Sequence, residues 1–211
     1  RVDYNPSSKS TVFGRYSIQR TNLFDPQPLG AAGGNTLDGG QPGTAPSIIQ
    51  PVGIGGTYAF SPTVLLDANF GYTRQGLSAE NSDIGTNYGL TVLKIPGTNG
   101  TSRLYGGYPQ FGMTGLSSIG NPNASNPFQF RDNVYTTAVN LTAIFGKHST
   151  RYGLEYEHYG VNNFQPGNTY GPRGGFAFTG GLTALNGGAT PNGYNSWADF
   201  LLGLPQNMGK E

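Results

Sequence analysis

The sequence contains no cysteine, which excludes a disulfide framework, a thiolate metal site and a cysteine nucleophile. Charge is scarce: Asp, Glu, Lys and Arg make up 11% of the residues, against a usual ~25%. The net charge of +1 excludes a nucleic-acid binder that works through a broad basic field. No run approaches the roughly 18 apolar residues of a membrane-spanning helix. The opening Arg1-Val2-Asp3-Tyr4 reads as the end of a strand rather than as a secretory leader. What the sequence has in abundance is glycine and aromatics. There are 35 Gly and 15 Pro in 211 residues, together with 12 Phe, 13 Tyr and one Trp. Low charge alone would suit disorder, but that aromatic load does not. The class that remains is an aromatic, glycine-rich β-protein with long loops.

The chain reads as strands joined by alternating short and long connections. Arg1 to Asn5 ends one strand, and Pro6-Ser7-Ser8-Lys9-Ser10 turns into a second over 11–20. Residues 21–46 are dense in Gly, Pro, Asn and Asp and read as a loop. A third strand covers 47–60, Ser61-Pro62-Thr63 turns, and a fourth covers 64–77. Residues 78–127 form a second long loop, with Pro96-Gly97-Thr98-Asn99-Gly100 and Gly115 to Pro122 as its breakers. The fifth strand is 128–145, Gly146-Lys147-His148-Ser149 turns, and the sixth is 150–162. After an irregular stretch over 163–175 comes a short β run, 176–179. Residues 196–203 read as one or two helical turns, with Asn195 or Ser196 as N-cap and too few apolar residues to join a core. Short turns at one end of up-and-down strands and long loops at the other are the pattern of an outer-membrane barrel.

Alternation separates two faces. Val12, Gly14, Tyr16 and Ile18 oppose Phe13, Arg15, Ser17 and Gln19. Leu66, Ala68, Phe70 and Tyr72 oppose Asp67, Asn69, Gly71 and Thr73. In the fifth strand Tyr135, Thr137, Val139, Leu141, Ala143 and Phe145 oppose Val134, Thr136, Ala138, Asn140 and Thr142. In the sixth, Tyr152, Leu154, Tyr156 and His158 oppose Arg151, Gly153, Glu155 and Glu157. Charges fall almost wholly on one phase, as a lipid-facing and a lumen-facing side require. A half-buried sheet of a soluble sandwich also alternates. Tyr135 and Phe145 share a phase ten residues apart. At ~3.3 Å per residue that is about 33 Å, and tilted by ~40° it spans the ~25 Å apolar band of such a barrel. Phe60 and Phe145 lie just before short turns, where a periplasmic aromatic girdle belongs.

Several of these segments resemble the TonB-dependent outer-membrane receptors, most closely the Oar-like group with a carboxypeptidase-regulatory-like domain. They are Arg1-Val2-Asp3-Tyr4 with Ser10-Thr11-Val12-Phe13-Gly14-Arg15-Tyr16-Ser17, Phe60-Ser61-Pro62-Thr63 with Asn69-Phe70-Gly71-Tyr72-Thr73-Arg74, and Gly146-Lys147-His148-Ser149 with Tyr152-Gly153-Leu154-Glu155-Tyr156. Asn163-Phe164-Gln165-Pro166-Gly167-Asn168 and Ala198-Asp199-Phe200-Leu201-Leu202-Gly203-Leu204-Pro205 follow. The resemblance implies an all-β fold: antiparallel up-and-down strands forming part of a large transmembrane β-barrel with long extracellular loops. It also implies the outer membrane of a Gram-negative bacterium, outer-membrane lipid as a neighbour and an inner-membrane TonB complex as energy source. The substrate would be bulky: an oligosaccharide, a peptide or a metal chelate. Residues 1–211 are expected to be a partial barrel of six to seven strands, lacking the plug, its TonB-contact segment and the remaining strands.

No catalytic, cofactor or metal residue is assigned, and no enzyme activity or nucleic-acid partner is expected. His148, Glu155, Glu157 and His158 suggest a metal by type, but Glu157 and His158 are strand neighbours and point to opposite faces. Asp67 and Asn69 share the polar face and either line a transport path or belong to the solvated wall. Gly53-Ile54-Gly55-Gly56 lacks the helix a dinucleotide loop needs and is expected to ease strand curvature. Asn99-Gly100-Thr101, Asn123-Ala124-Ser125 and Asn140-Leu141-Thr142 match the glycosylation pattern, which has no bearing in an outer membrane. Tyr105, Tyr108, Phe111 and Tyr170 either contact substrate or pack the loops against themselves.

The leading expectation is therefore substrate capture by loops and passage through a lumen. A secreted or surface β-rich adhesion protein is the rival. A soluble carbohydrate-active enzyme would have to use Glu155 and Glu157, which stand on one face about 7 Å apart by strand rise.

Overall fold

The computed structural model describes residues 1–34, 42–167, 169–187 and 193–211. Its strands are β1 (Val2–Ser7), β2 (Ser10–Tyr16), β3 (Gln19–Asp25), β4 (Gly43–Ser61), β5 (Val64–Ala79), β6 (Gln110–Met113), β7 (Phe128–Phe145), β8 (His148–Gly160), β9 (Asn163–Phe164), β10 (Gly175–Phe178) and β11 (Asn207–Gly209). The α-helix is α1 (Gly193–Leu201). The chain divides into two compact units. One comprises Arg1–Thr21, Ser47–Leu77 and Phe130–Asn163; the other comprises Asn22–Pro46, Ser78–Gln129 and Phe164–Glu211.

The principal sheet is an up-and-down meander in the order β1-β2-β4-β5-β7-β8, with β3 also on β4 and β9 also on β7. This bears out the all-β, antiparallel expectation. β5 and β7 begin where the alternation places them, and β7 matches at both ends. The hairpins are tighter than expected, with two residues between β1 and β2, β4 and β5, and β7 and β8. Serine closes two of them: Ser7 Oγ accepts from the Lys9 N–H at 3.2 Å, and Ser61 Oγ from the Thr63 N–H at 3.3 Å. Such side-chain turns replace backbone partners that the reversing chain loses.

The second strand departs from expectation. It breaks after Tyr16 and resumes as β3, which occupies part of the expected loop. The cause lies opposite: Tyr16 pairs with Val52, and the next residue of β4 is Pro51. Proline offers no N–H to the ladder. Its carbonyl still accepts from the Ser17 N–H at 3.1 Å, and regular pairing ends there.

The register keeps the two faces distinct across the sheet. Tyr4 pairs with Val12, Val12 with Gly56, and Gly56 with Ala68. Tyr16 pairs with Val52 and Val52 with Tyr72. The rings of Tyr72 and Tyr135 are 4.9 Å apart, and Tyr135 pairs with His158. Val139 pairs with Leu154 and Leu141 with Tyr152. The apolar residues of this face are not buried: Ile54 is 53% exposed, Phe70 43% and Leu154 74%. A water-soluble sheet would cover such a face; an apolar stripe left open over six strands marks a surface made for a non-aqueous neighbour.

In the second unit the long connections are folded rather than irregular. They hold a π-helical turn (Tyr88–Val92), a 3-10 turn (Arg103–Tyr105) and a small sheet in the order β11-β10-β6, whose β10-β6 pair is parallel. Phe111, Met113 and Phe178 form its buried core. Phe111 stacks on Phe176 at 5.3 Å, and Phe200 of α1 meets Phe111 and Phe178 edge-on at 5.8 and 5.4 Å. The helix thus begins earlier than read from sequence and does join a core, because one aromatic suffices where three others converge.

Candidate functional site

The polar face of the sheet is built by the same alternation that exposes the apolar one. On β5, Asp67 accepts from Asn140 Nδ2 of β7 at 3.0 Å and lies 3.5 Å from Arg151 Nη2 of β8. Asp67 is thereby a wall residue that ties three strands together, with only 24% of its side chain exposed. Asn69 lies over Gly55, whose missing side chain leaves room for it and for the Phe13 ring. Gly53 likewise leaves room for Arg15: a Cβ there would stand 2.7 Å from its Nε. These glycines admit neighbouring side chains, a reason more specific than the expected easing of curvature.

Glu155 pairs with Ala138 and Glu157 with Thr136, so both project to the polar face, while His158 opposite Tyr135 projects to the other. Tyr159 donates to Glu157 Oε2 at 2.7 Å. His148 stands at the far end of β8, opposite Phe145. The four metal-type residues are therefore not brought together. Among the described residues, no three of His, Asp and Glu are placed to hold a metal ion.

The second unit is organised around buried polar pins that composition does not reveal. Arg173 is 2% exposed; it donates to the Asn126 carbonyl at 2.8 Å, the Asn123 carbonyl at 2.7 Å and Asn81 Oδ1 at 3.3 Å. Burial lowers its guanidinium pKa to about 10, partly opposed by the nearby Asp83 carboxylate. Asp83 itself accepts from the Tyr108 N–H at 2.6 Å and from Asn81 Nδ2. Asn99 is fully buried and serves as a brace: Nδ2 donates to the Gly107 carbonyl at 2.8 Å and the Tyr105 carbonyl at 3.0 Å, and Oδ1 accepts from the Leu90 N–H at 3.2 Å. Glu80 and Arg103 pair at 2.8 Å, and the carboxylate raises the guanidinium pKa. Each asparagine of the three glycosylation-like patterns is engaged: Asn99 as above, Asn123 with Ser125, and Asn140 with Asp67.

The four loop aromatics have packing partners. Phe111 is in the core, Tyr108 packs on it, Tyr170 covers Gly209, and the Tyr105 ring lies 5.5 Å from Lys210 Nζ. The aromatics left open are others. Trp197 stacks on Phe200 at 5.3 Å yet is 43% exposed, and Tyr194 is 87% exposed. With Met113, Leu116, Ser117 and Ile119 they line an open groove of about 660 Å³. The sequence signal for it was the sole tryptophan, one turn before the end of a short helix.

A sheet with one open apolar face and one polar face, two-residue turns at one end and long connections at the other is the anatomy of a barrel wall in a bilayer. The family profile described as "Outer membrane beta barrel domain" matches residues 1–211, the whole chain. No curated protein and no solved structure matches it. The chain belongs to the outer membrane beta barrel domain family, and its place is the outer membrane.

Proposed function

We propose that this barrel segment belongs to a receptor of the TonB-dependent, Oar-like kind, which takes up a bulky substrate at the cost of inner-membrane energy. The observation that carries the reading is the second unit: the long connections form a body with its own aromatic core, pinned by Arg173 and Asn99, and present a groove beside Trp197. An ordered body with an open aromatic groove suits capture of a ligand. The polar wall around Asp67, Asn140 and Arg151 suits passage of a hydrated solute. No bond-making chemistry is part of this reading.

Two edges support a larger barrel. β1 and β8 end the strand order of the sheet, and in hydrocarbon each unpaired backbone group costs several kcal/mol. Further strands beside those edges, and a plug that contacts the TonB complex, complete the proposed receptor.

The test is uptake by cells producing the intact gene product, offered labelled oligosaccharides, peptides and metal chelates. The reading predicts that one class accumulates, that a protonophore abolishes accumulation, and that Trp197→Ala weakens capture without lowering the amount of barrel in the membrane. Accumulation indifferent to the protonophore would leave a passive channel instead.

A further inference from the structure

The membrane-facing side carries a second feature, at the end of the strands from which the long connections leave. Arg74 pairs across from Gln50, two residues beyond the Val52–Tyr72 pair, and so shares the apolar phase with Tyr72 and Phe70. Arg131 reaches the same side: its Nη1 would lie 3.7 Å from a Cβ on Gly76, the next residue of that phase after Arg74. Both arginines are exposed. Arg74 and Arg131 have no carboxylate partner among the described residues, and the Arg131 guanidinium donates to the Phe130 carbonyl at 3.2 Å. Asp132, next to Arg131 in the strand, alternates to the opposite face. Below the arginines, Tyr16, Tyr72 and Tyr135 form a row with polar partners at this level: the Tyr16 hydroxyl accepts from Gln50 Nε2 at 3.0 Å, and the Tyr72 hydroxyl donates to Asn133 Oδ1 at 2.7 Å. Such a row marks the membrane interface.

Further down the same phase lies a shallow recess. Gly56 and Ala68 pair at its floor, with Ile54, Phe70, Tyr58 and Leu66 as walls. From Arg74 to Ala68 is six residues, about 20 Å along a strand. Two cations at the interface, above an apolar recess of about 430 Å³, complement an amphiphile with an anionic head.

We propose that Arg74 and Arg131 bind the phosphate of an outer-leaflet lipid, and that one of its acyl chains lies in the recess over Gly56 and Ala68. Two guanidiniums grip a phosphate through charge-assisted, forked hydrogen bonds. The smallness of Gly56 and Ala68 makes the recess.

The experiment is native mass spectrometry of the intact gene product folded in detergent and offered a diphosphorylated glycolipid, its dephosphorylated counterpart, or phosphatidylcholine. Each cationic side chain beside an anionic lipid is worth about fivefold in binding. The double variant Arg74→Gln/Arg131→Gln is expected to lose the phosphorylated glycolipid by about tenfold or more, and Arg74→Lys/Arg131→Lys to keep most of it. Ala68→Leu, which fills the recess and leaves the charges, is expected to weaken binding too. Arg15→Gln, on the polar face, is expected to change nothing. Equal binding of the dephosphorylated lipid, or unchanged binding by the double variant, would overturn the proposal. Displacement by millimolar inorganic phosphate would reassign the arginines to a soluble anion and overturn the lipid site.

Discussion

Asn140 donates a 3.0 Å hydrogen bond to Asp67 across 73 positions of the chain, and so fastens β7 to β5 on the polar face of the sheet. The geometry separates this bond from its neighbour, the Asp67–Arg151 pair, which is longer at 3.5 Å and whose arginine side chain is 63% exposed. Asp67→Ala is expected to lower stability by about 1–2 kcal/mol, the usual loss when a half-buried hydrogen-bond partner disappears. Arg151→Ala is expected to cost under about 0.5 kcal/mol, as exposed ion pairs do. Urea unfolding of the intact gene product in detergent distinguishes the two; equal losses would assign Asp67 to the arginine instead.

Neighbouring positions on β7 should respond oppositely to the same insult. Val139 faces the membrane opposite Leu154, and Ala138 faces the polar side opposite Glu155. Val139→Lys is expected to cost about 2–4 kcal/mol near the bilayer midplane, and Ala138→Lys little. The yield of folded, heat-resistant barrel after refolding the intact gene product into vesicles reads the difference.

Phe200 ties α1 to the core of the second unit. Its truncation to Ala removes three ring contacts and is expected to cost about 2–4 kcal/mol, somewhat below a fully buried Phe. Limited proteolysis should then cut within 78–129 and 164–211 while β7 and β8 stay intact.

Arg173 makes a sharper test of the polar pins. Arg173→Met preserves much of the volume but strands the Asn123 and Asn126 carbonyls and Asn81. Each orphaned buried acceptor costs about 1–3 kcal/mol, so faster proteolysis of the same segments is expected. A variant as resistant as the parent would mean that the buried guanidinium is a burden which its partners only just offset.

The strands were legible because lipid and lumen impose a period of two on every residue between turns. The limits of β7, from Phe128 to Phe145, and the faces of Tyr135, Leu154 and Glu155 follow from that pattern alone. The break between β2 and β3 was not legible, because its cause, Pro51, lies on the partner strand. The second unit was least legible. Its order comes from single long-range pins, such as Asn99 to Gly107 and Arg173 to Asn126, and from aromatics that converge only after folding. No local period announces these. The same physics explains why Tyr108 and Phe111 turned inward while Trp197 stayed open.

One phase of the strands meets lipid and the other meets water. These 211 residues contain no cysteine, so single cysteines introduced among them report on the sheet alone. Spin labels placed one at a time from Val134 to Leu141, with the intact gene product in vesicles, would report collision with oxygen, which partitions into lipid, and with a water-soluble nickel chelate. Strict alternation is expected: oxygen contact at Tyr135, Thr137, Val139 and Leu141, and nickel contact at Val134, Thr136, Ala138 and Asn140. A profile without that period, or nickel contact at every position, would contradict it.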